Sequence, residues 1–300
     1  MKFINRIIIA GMALIAIVAC SSDGTGSGAD AQKGETPISF TGSIGEGTRS
    51  SQDLQNTKFK IGTLVDVQIT SNDGLTIFDP LVYRVSNTAG TLVPNNGVYP
   101  YYPINGSGIS VRAIYPRGYM NESTFTVEET QTDDTGYLKS DLMFASATVP
   151  TSQTDAIDLN FQHKLTKICV NLTPEGNVDL AGAQVKLLQL YKTIGFNPNT
   201  GELVGDPIGS KRDFLIQSGG NEATVECAGI IVPQNFPGGY LIEIRLANND
   251  ILNYRSVQSI PFESGKKYTY NVTVTESNIT VSSVVQPWLT TEDVTGRPRL

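Results

Sequence analysis

The chain is poor in the residues that carry most protein chemistry. Its 300 residues include one histidine, one tryptophan and three cysteines. Metal sites gather several His, Cys or carboxylate ligands at suitable spacing, and no such cluster surrounds His163. There is no His-Glu-x-x-His pair, no Gly-x-Ser-x-Gly elbow and no phosphate-binding loop. These gaps argue against an enzyme and against a bound metal or cofactor. Charge is scarce too: Asp, Glu, Lys and Arg make up 17% of the chain, low for a helical bundle. Lys and Arg number 22 against 29 Asp and Glu, for a net charge of −7. An acidic chain without a basic block is a poor nucleic-acid binder, because phosphate binding needs clustered cations. Long apolar runs are missing everywhere but at the amino end.

That one run, Ile7 to Val18, follows Lys2 and Arg6 and stops just before Cys20. A short positive start, a hydrophobic stretch and small residues form a secretory signal. The run is too short and too weakly flanked to make a good transmembrane helix. Ile17-Val18-Ala19-Cys20 resembles the lipobox of bacterial lipoproteins, where the signal is cut before a cysteine that is then lipidated. An ordinary signal peptide that happens to hold a cysteine is the alternative. On the lipoprotein reading, residues 1–19 are the signal and Cys20 carries the lipid. Acyl chains, at about 0.8 kcal/mol per buried methylene, then anchor the protein to the outer membrane. Residues 20–35, rich in Gly, Ser and Asp, read as a flexible tether. Cys169 and Cys227 remain. Two cysteines do not make a disulfide framework, so free, buried thiols are expected, with a pair in an exported protein as the alternative.

What is abundant points to β-structure: Tyr, Phe, Val and Thr, with 29 Gly and 15 Pro as punctuation. "LVDVQIT" alternates Val65, Val67 and Ile69 against Asp66, Gln68 and Thr70. "GISVRAIYP" sets Ile109, Val111, Ala113 and Tyr115 on one face. "YLIEIRLANNDILNYRSV" reads as a hairpin turning at Asn248-Asn249-Asp250, residues that tolerate positive φ. "KKYTYNVTVTESNITVSS" reads as a second hairpin, turning near Glu276-Ser277-Asn278. "VDLAGAQVKLLQLY" is the best helical candidate, and it also reads as a strand over Val185 to Tyr191. In "IDLNFQHKLTKICVNL" the apolar parity changes between Leu165 and Ile168, as a β-bulge would make it do. The turn-rich Thr173 to Asn177 then marks a domain boundary. Many short strands separated by turns suggest β-sandwiches.

Few side chains invite a functional reading. His163 lies within a strand and reads as structural. Ser264-Gly265-Lys266-Lys267 has the Ser-x-x-Lys spacing of acyl-transferring enzymes, but it enters a strand rather than a helix. Asp133-Asp134 and Asn72-Asp73-Gly74 are acidic turns without a full calcium ligand set. Tyr99, Tyr101 and Tyr102 in "NGVYPYYPING" form either a strand end packed on its own sandwich or an aromatic platform for sugar.

Five stretches together resemble the fimbrillin-like proteins, the subunits and tip adhesins of lipoprotein-derived pili. They are the lipobox with its tether; "ISF" followed by "GTRSS"; "YPYYP" followed by "VRAIYP"; "DLMFASATV" followed by "LNFQHKLTKICVNL"; and "GKKYTYNVTV" followed by "ITVSSVVQPW". The resemblance implies an all-β chain with two tandem transthyretin-like β-sandwich domains, placed here at 36–175 and 176–300. It also implies assembly by donor-strand exchange. A trypsin-like protease would cut after Arg49 and free a first strand over Ile38 to Thr41, presenting Ile38 and Phe40. The donor from another subunit would lie within Ile279 to Leu289, presenting Ile279, Val281, Val285 and Trp288. The partners implied are other fimbrial subunits, the outer membrane through the lipid anchor, and a surface receptor that nothing in the sequence names. The expected function is a structural and adhesive pilus subunit. A non-polymerising surface lipoprotein that binds glycan is the alternative.

Overall fold

A computed structural model describes residues 33–44, 59–75, 78–218 and 223–288. Cys20 and Arg49 therefore lie outside the described residues. The first strands are β1 (Lys33–Pro37), β2 (Phe40–Ile44), β3 (Leu64–Ser71), β4 (Leu81–Val85) and β5 (Thr91–Pro94). They are followed by β6 (Tyr101–Pro103), β7 (Ser107–Tyr115), β8 (Thr124–Thr126), helix α1 (Asp134–Lys139), β9 (Met143–Thr151) and β10 (Ile157–His163). Next come β11 (Thr166–Pro174), β12 (Gln184–Leu190), β13 (Thr193–Asn197), β14 (Glu202–Ile208), β15 (Arg212–Ser218) and β16 (Val225–Ile231). The last are β17 (Gln234–Phe236), β18 (Gly239–Arg245), β19 (Ile251–Ser256), β20 (Ile260–Phe262), β21 (Lys266–Val274) and β22 (Ile279–Pro287). The described residues are all-β apart from one short helix.

Seven strands close into a barrel in the order β10-β2-β5-β4-β3-β7-β9. Alternation drives the closure: Val65, Val67 and Ile69 of β3 and Ile109, Val111 and Ala113 of β7 all turn inward and are buried. The ring is sealed where Gln162 and His163 of β10 pair with Phe144 and Met143 of β9. The polar parity of β3 is not a plain solvent face. Asp66 is buried on the outside of the barrel, accepting from Arg117 Nε at 2.9 Å and from the Gly118 amide at 2.7 Å.

A second, larger core lies between two four-stranded sheets, β16-β11-β21-β22 and β15-β12-β18-β19. Ile168, Val170, Leu172, Tyr270 and Val272 of one sheet join Val185, Leu187, Phe214, Ile242 and Ile244 of the other in that core. Both hairpins form: β18 pairs with β19 and β21 with β22, and Asn249 adopts φ 70° at the first turn. The ambiguous segment from Val178 is strand over Gln184–Leu190.

Two expectations are corrected. The parity change between Leu165 and Ile168 is not a bulge in one strand. The chain leaves the barrel at the end of β10 and enters a different sheet as β11, which lies between β16 and β21. The boundary expected at Thr173–Asn177 therefore falls too late, because Leu165, Ile168, Val170 and Leu172 already belong to the second core. Nor do the cores divide the chain into separate halves. Ile114, Leu142 and Phe144, on or beside barrel strands, point into the larger core. The cysteines are not bonded to each other. Cys227 sits opposite Val170 and Cys169 opposite Ala228, so their side chains project from opposite faces of the sheet. Burial pushes the Cys227 thiol far up from its ordinary value.

Candidate functional site

Strand β2 completes the barrel, with a five-residue ladder to one neighbour and a two-residue ladder to the other. It runs parallel to β10 from Phe40 opposite Ile157 to Ile44 opposite Phe161. On its other side it meets β5 only at Phe40–Leu92 and Thr41–Thr91, with the Gly42 amide donating to the Gly90 carbonyl at 2.8 Å. Its side chains are held as well. Ile38, Phe40 and Ile44 are buried, and the Phe40 ring stands edge-on to Tyr83 with centroids 5.2 Å apart. Between them Gly42 faces Leu92, whose Cδ1 lies 3.4 Å from where a Cβ would stand. The outward parity is polar: Thr41 and Ser43 donate to the Asp158 carboxylate at 3.2 to 3.3 Å. Two of the side chains expected to fill a removable strand's groove, Ile38 and Phe40, are thus buried in the barrel core.

Strand β22 has a strand neighbour on one side only. Its nine residues pair in unbroken register with β21, from Ile279 opposite Val274 to Pro287 opposite Lys266. It is the outer strand of its sheet, so its far side has no strand neighbour in that sheet. Ile279 and Val281 pack in part on the second core, while Val285, of the same parity, is 54% exposed. The alternating row is apolar but only half used at home.

Three widely separated sequence fragments meet where β22 ends. Asp141 opens the Asp-Leu-Met run, His163 lies in the Phe-Gln-His-Lys-Leu run, and Trp288 follows β22. His163 Nδ1 lies 2.6 Å from Asp141 Oδ1, both buried. Trp288 stacks on the His163 ring at 3.9 Å with planes 7° apart, and its amide donates to the Gly265 carbonyl at 2.7 Å. The buried Lys167 ammonium lies 5.6 Å from the Trp288 ring centroid and 5.7 Å from that of Tyr137. Ring stacking adds about 0.5–1.5 kcal/mol to what burial contributes. His163 is accordingly structural, and Trp288 fastens the end of β22 to the end of β10.

The other sequence candidates are used by the fold. Tyr102 is buried in the barrel core, Tyr101 pairs with Pro37 of β1, and Tyr99 is 37% exposed. Ser264 donates to the Lys164 carbonyl at 2.6 Å while Lys267 is buried on β21. Asp133 caps α1, accepting from the Gly136 amide at 2.9 Å. Asp73 accepts from Ser71, from Asn105 at 2.8 Å and from the Leu75 amide at 3.0 Å. Those bonds, Ser71's foremost, lower its pKa to about 2. Among the described residues no three His, Cys, Asp or Glu side chains converge as a metal site would need.

A family model described as fimbrillin-like matches residues 48–288, and the chain belongs to that family. Its members are structural proteins rather than enzymes. A protein of Bacteroides uniformis named as a fimbrium subunit, Fim1C, is 23% identical over 298 residues, covering 95% of each chain. A solved structure from Bacteroides ovatus, named as a cell adhesion protein, superposes with a TM-score of 0.66 at 21% identity, over 85% of this chain and 98% of that one. The tip fimbrial protein Mfa3 of Porphyromonas gingivalis, solved with a C-terminal truncation, gives 0.51 at 8% identity, over 84% and 99%. At such identities the structural likeness shows the fold alone.

Proposed function

Proceeding from that family, we propose that the protein is a fimbrial subunit that reaches the cell surface as a lipoprotein and polymerises by donor-strand exchange. The observation that carries the reading is the position of β2. It fills a gap between β10 and β5, and its only covalent link onward to the barrel is the segment 45–58, which contains Arg49. Cutting after Arg49 leaves β2 held by non-covalent contacts alone. Once β2 departs, β10 and β5 present unpaired edges flanking an apolar groove, a template for a strand from another subunit. β22 is the donor, because it is an edge strand with an alternating apolar row. Cys20 carries the lipid that brings the precursor to the outer membrane.

Trypsin treatment of purified protein tests the assembly. The parent should give a ladder on a denaturing gel run without boiling, and Arg49→Ala should stay monomeric. A chain truncated before Asn278 should be cut yet fail to donate; homopolymers from it as abundant as the parent's would overturn the reading. Cys20→Ala should leave the protein unacylated and release it from membrane fractions. Membrane partitioning equal to the parent's would place the anchor elsewhere.

A further inference from the structure

We propose that a second copy of this chain seats Ile279–Val285 of β22 in the place of Ile38–Ile44, residue for residue and in the same direction. The proposal rests on the strand-exchange reading above and fixes its register. The groove has four inward seats: Ile38, Phe40, Gly42 and Ile44. They follow the pattern large, large, small, large. The core-facing row of β22 is Ile279, Val281, Ser283 and Val285, opposite Val274, Val272, Tyr270 and Tyr268. It repeats the pattern at the same spacing, with its one small polar residue in third place.

The third seat decides between registers. A Cβ at position 42 would stand 3.4 Å from Leu92 Cδ1, an ordinary contact, and Gly42 is the one seat of the four that is only partly buried. Serine adds a single oxygen there. A slip of two residues one way puts Val285 against Leu92 and Ser283 beside Tyr83, in the seat of Phe40. A slip of two the other way puts Val281 against Leu92 and Ser283 in the seat of Ile44. Each slip puts the Ser283 hydroxyl in a buried apolar seat. A slip of one turns the apolar row outward. Only the proposed register gives Ser283 the partly buried seat. It also makes Ser283 the residue that sets register and Val281 the undersized one, since valine leaves space beside Tyr83 that Phe40 fills.

Engineered disulfides in trypsin-assembled polymer read the register. Thr41 of β2 is paired with Thr91 of β5, so Ser282 of the donor should face Thr91 of the acceptor. A mixture of a Thr91→Cys chain and a Ser282→Cys chain should cross-link. Thr280→Cys and Val284→Cys, two residues off, should cross-link at least tenfold less. Both chains also carry Cys169→Ser and Cys227→Ser, so that only the engineered thiols report. Two further donors sharpen the result: Val281→Phe should slow strand release, and Ser283→Leu should weaken or abolish donation. Polymer that forms through β22 but cross-links best from residue 280 or 284 overturns the register and leaves the strand-exchange reading standing. Polymer that forms equally well without residues 278–288 overturns both.

Discussion

Strands β2 and β22 lie near the two ends of the described chain, and they are held differently. β2 has a neighbour on each side, a full ladder with β10 and a two-residue ladder with β5, and Ile38, Phe40 and Ile44 are all buried in a closed barrel. β22 has one neighbour and a complete nine-residue ladder, and its core-facing row is half exposed until Trp288 fastens its end. Backbone ladders are much alike from one pair of strands to the next. Side-chain burial is what differs, at about 1.5–3 kcal/mol for each large apolar residue moved out of water. A strand held by its side chains leaves only when a strand of matching side chains replaces it. A strand held by its ladder can peel away and keep its side chains available for use elsewhere. On the proposed function, β2 is the strand exchanged and β22 the strand donated.

The largest test of this contrast is Phe40→Ala. It removes a fully buried ring packed edge-on to Tyr83, and should lower stability by about 3–5 kcal/mol in urea unfolding of the uncut protein. A cost below about 1 kcal/mol would mean that the barrel is not held by the side chains of β2. Gly90→Ala should come next. Gly90 has φ 83°, and an added Cβ would stand 2.2 Å from the Gly42 carbonyl oxygen. The strained backbone and the clash together should cost about 1–3 kcal/mol. The loss should be local. Hydrogen exchange should quicken at Gly42, whose amide donates to Gly90, and stay as in the parent across β22. Equal loss of protection in both strands would show that they unfold as one unit.

Trp288 reports the other half of the contrast, because it is the chain's only tryptophan. At home it is buried and stacked on His163. Peeling of β22 must break that stack, so assembly should change Trp288 emission, while His163→Ala should alter it in the monomer and cost about 1–2 kcal/mol. Emission that stays constant through polymerisation would mean that β22 never leaves its own subunit.

The parts of this fold that are local in sequence were legible in it. The hairpin at Asn248–Asp250 could be read because its turn needs a residue that tolerates positive φ, and Asn249 supplies one. The inward rows of β3 and β7 followed from alternation. The change of parity after Leu165 was also visible, but its meaning was not, since a bulge and a move to another sheet leave the same mark on the pattern. Closure of the barrel could not be read either. It depends on two residues of β10 finding β9, and the local sequence carries no record of that pairing. The Asp141–His163–Trp288 contact was hidden for a like reason. Each residue stands in its own fragment, and stacking between residues so far apart has no periodic signature. The candidate strands β2 and β22 emerged through family resemblance rather than through alternation alone.

The smallest effect on the folded monomer should come from Val285→Asp, which separates the two strands' roles most sharply. At home Val285 is 54% exposed on the outer strand of its sheet, so a carboxylate there faces water. Monomer stability should stay within about 0.5 kcal/mol of the parent. In the groove the same residue would take the seat of Ile44, which is buried opposite Phe161. An unpaired charge there costs several kcal/mol, enough to prevent exchange. The variant should therefore melt like the parent, be cut after Arg49 like the parent, and fail to polymerise alone. It keeps an intact barrel, so after cutting it should still accept a strand from parent chains and cap their growth, shortening the ladder as its share rises. A cut Val285→Asp chain that builds polymers as long as the parent's would show that β22 stays at home, an ordinary edge strand of its own four-stranded sheet.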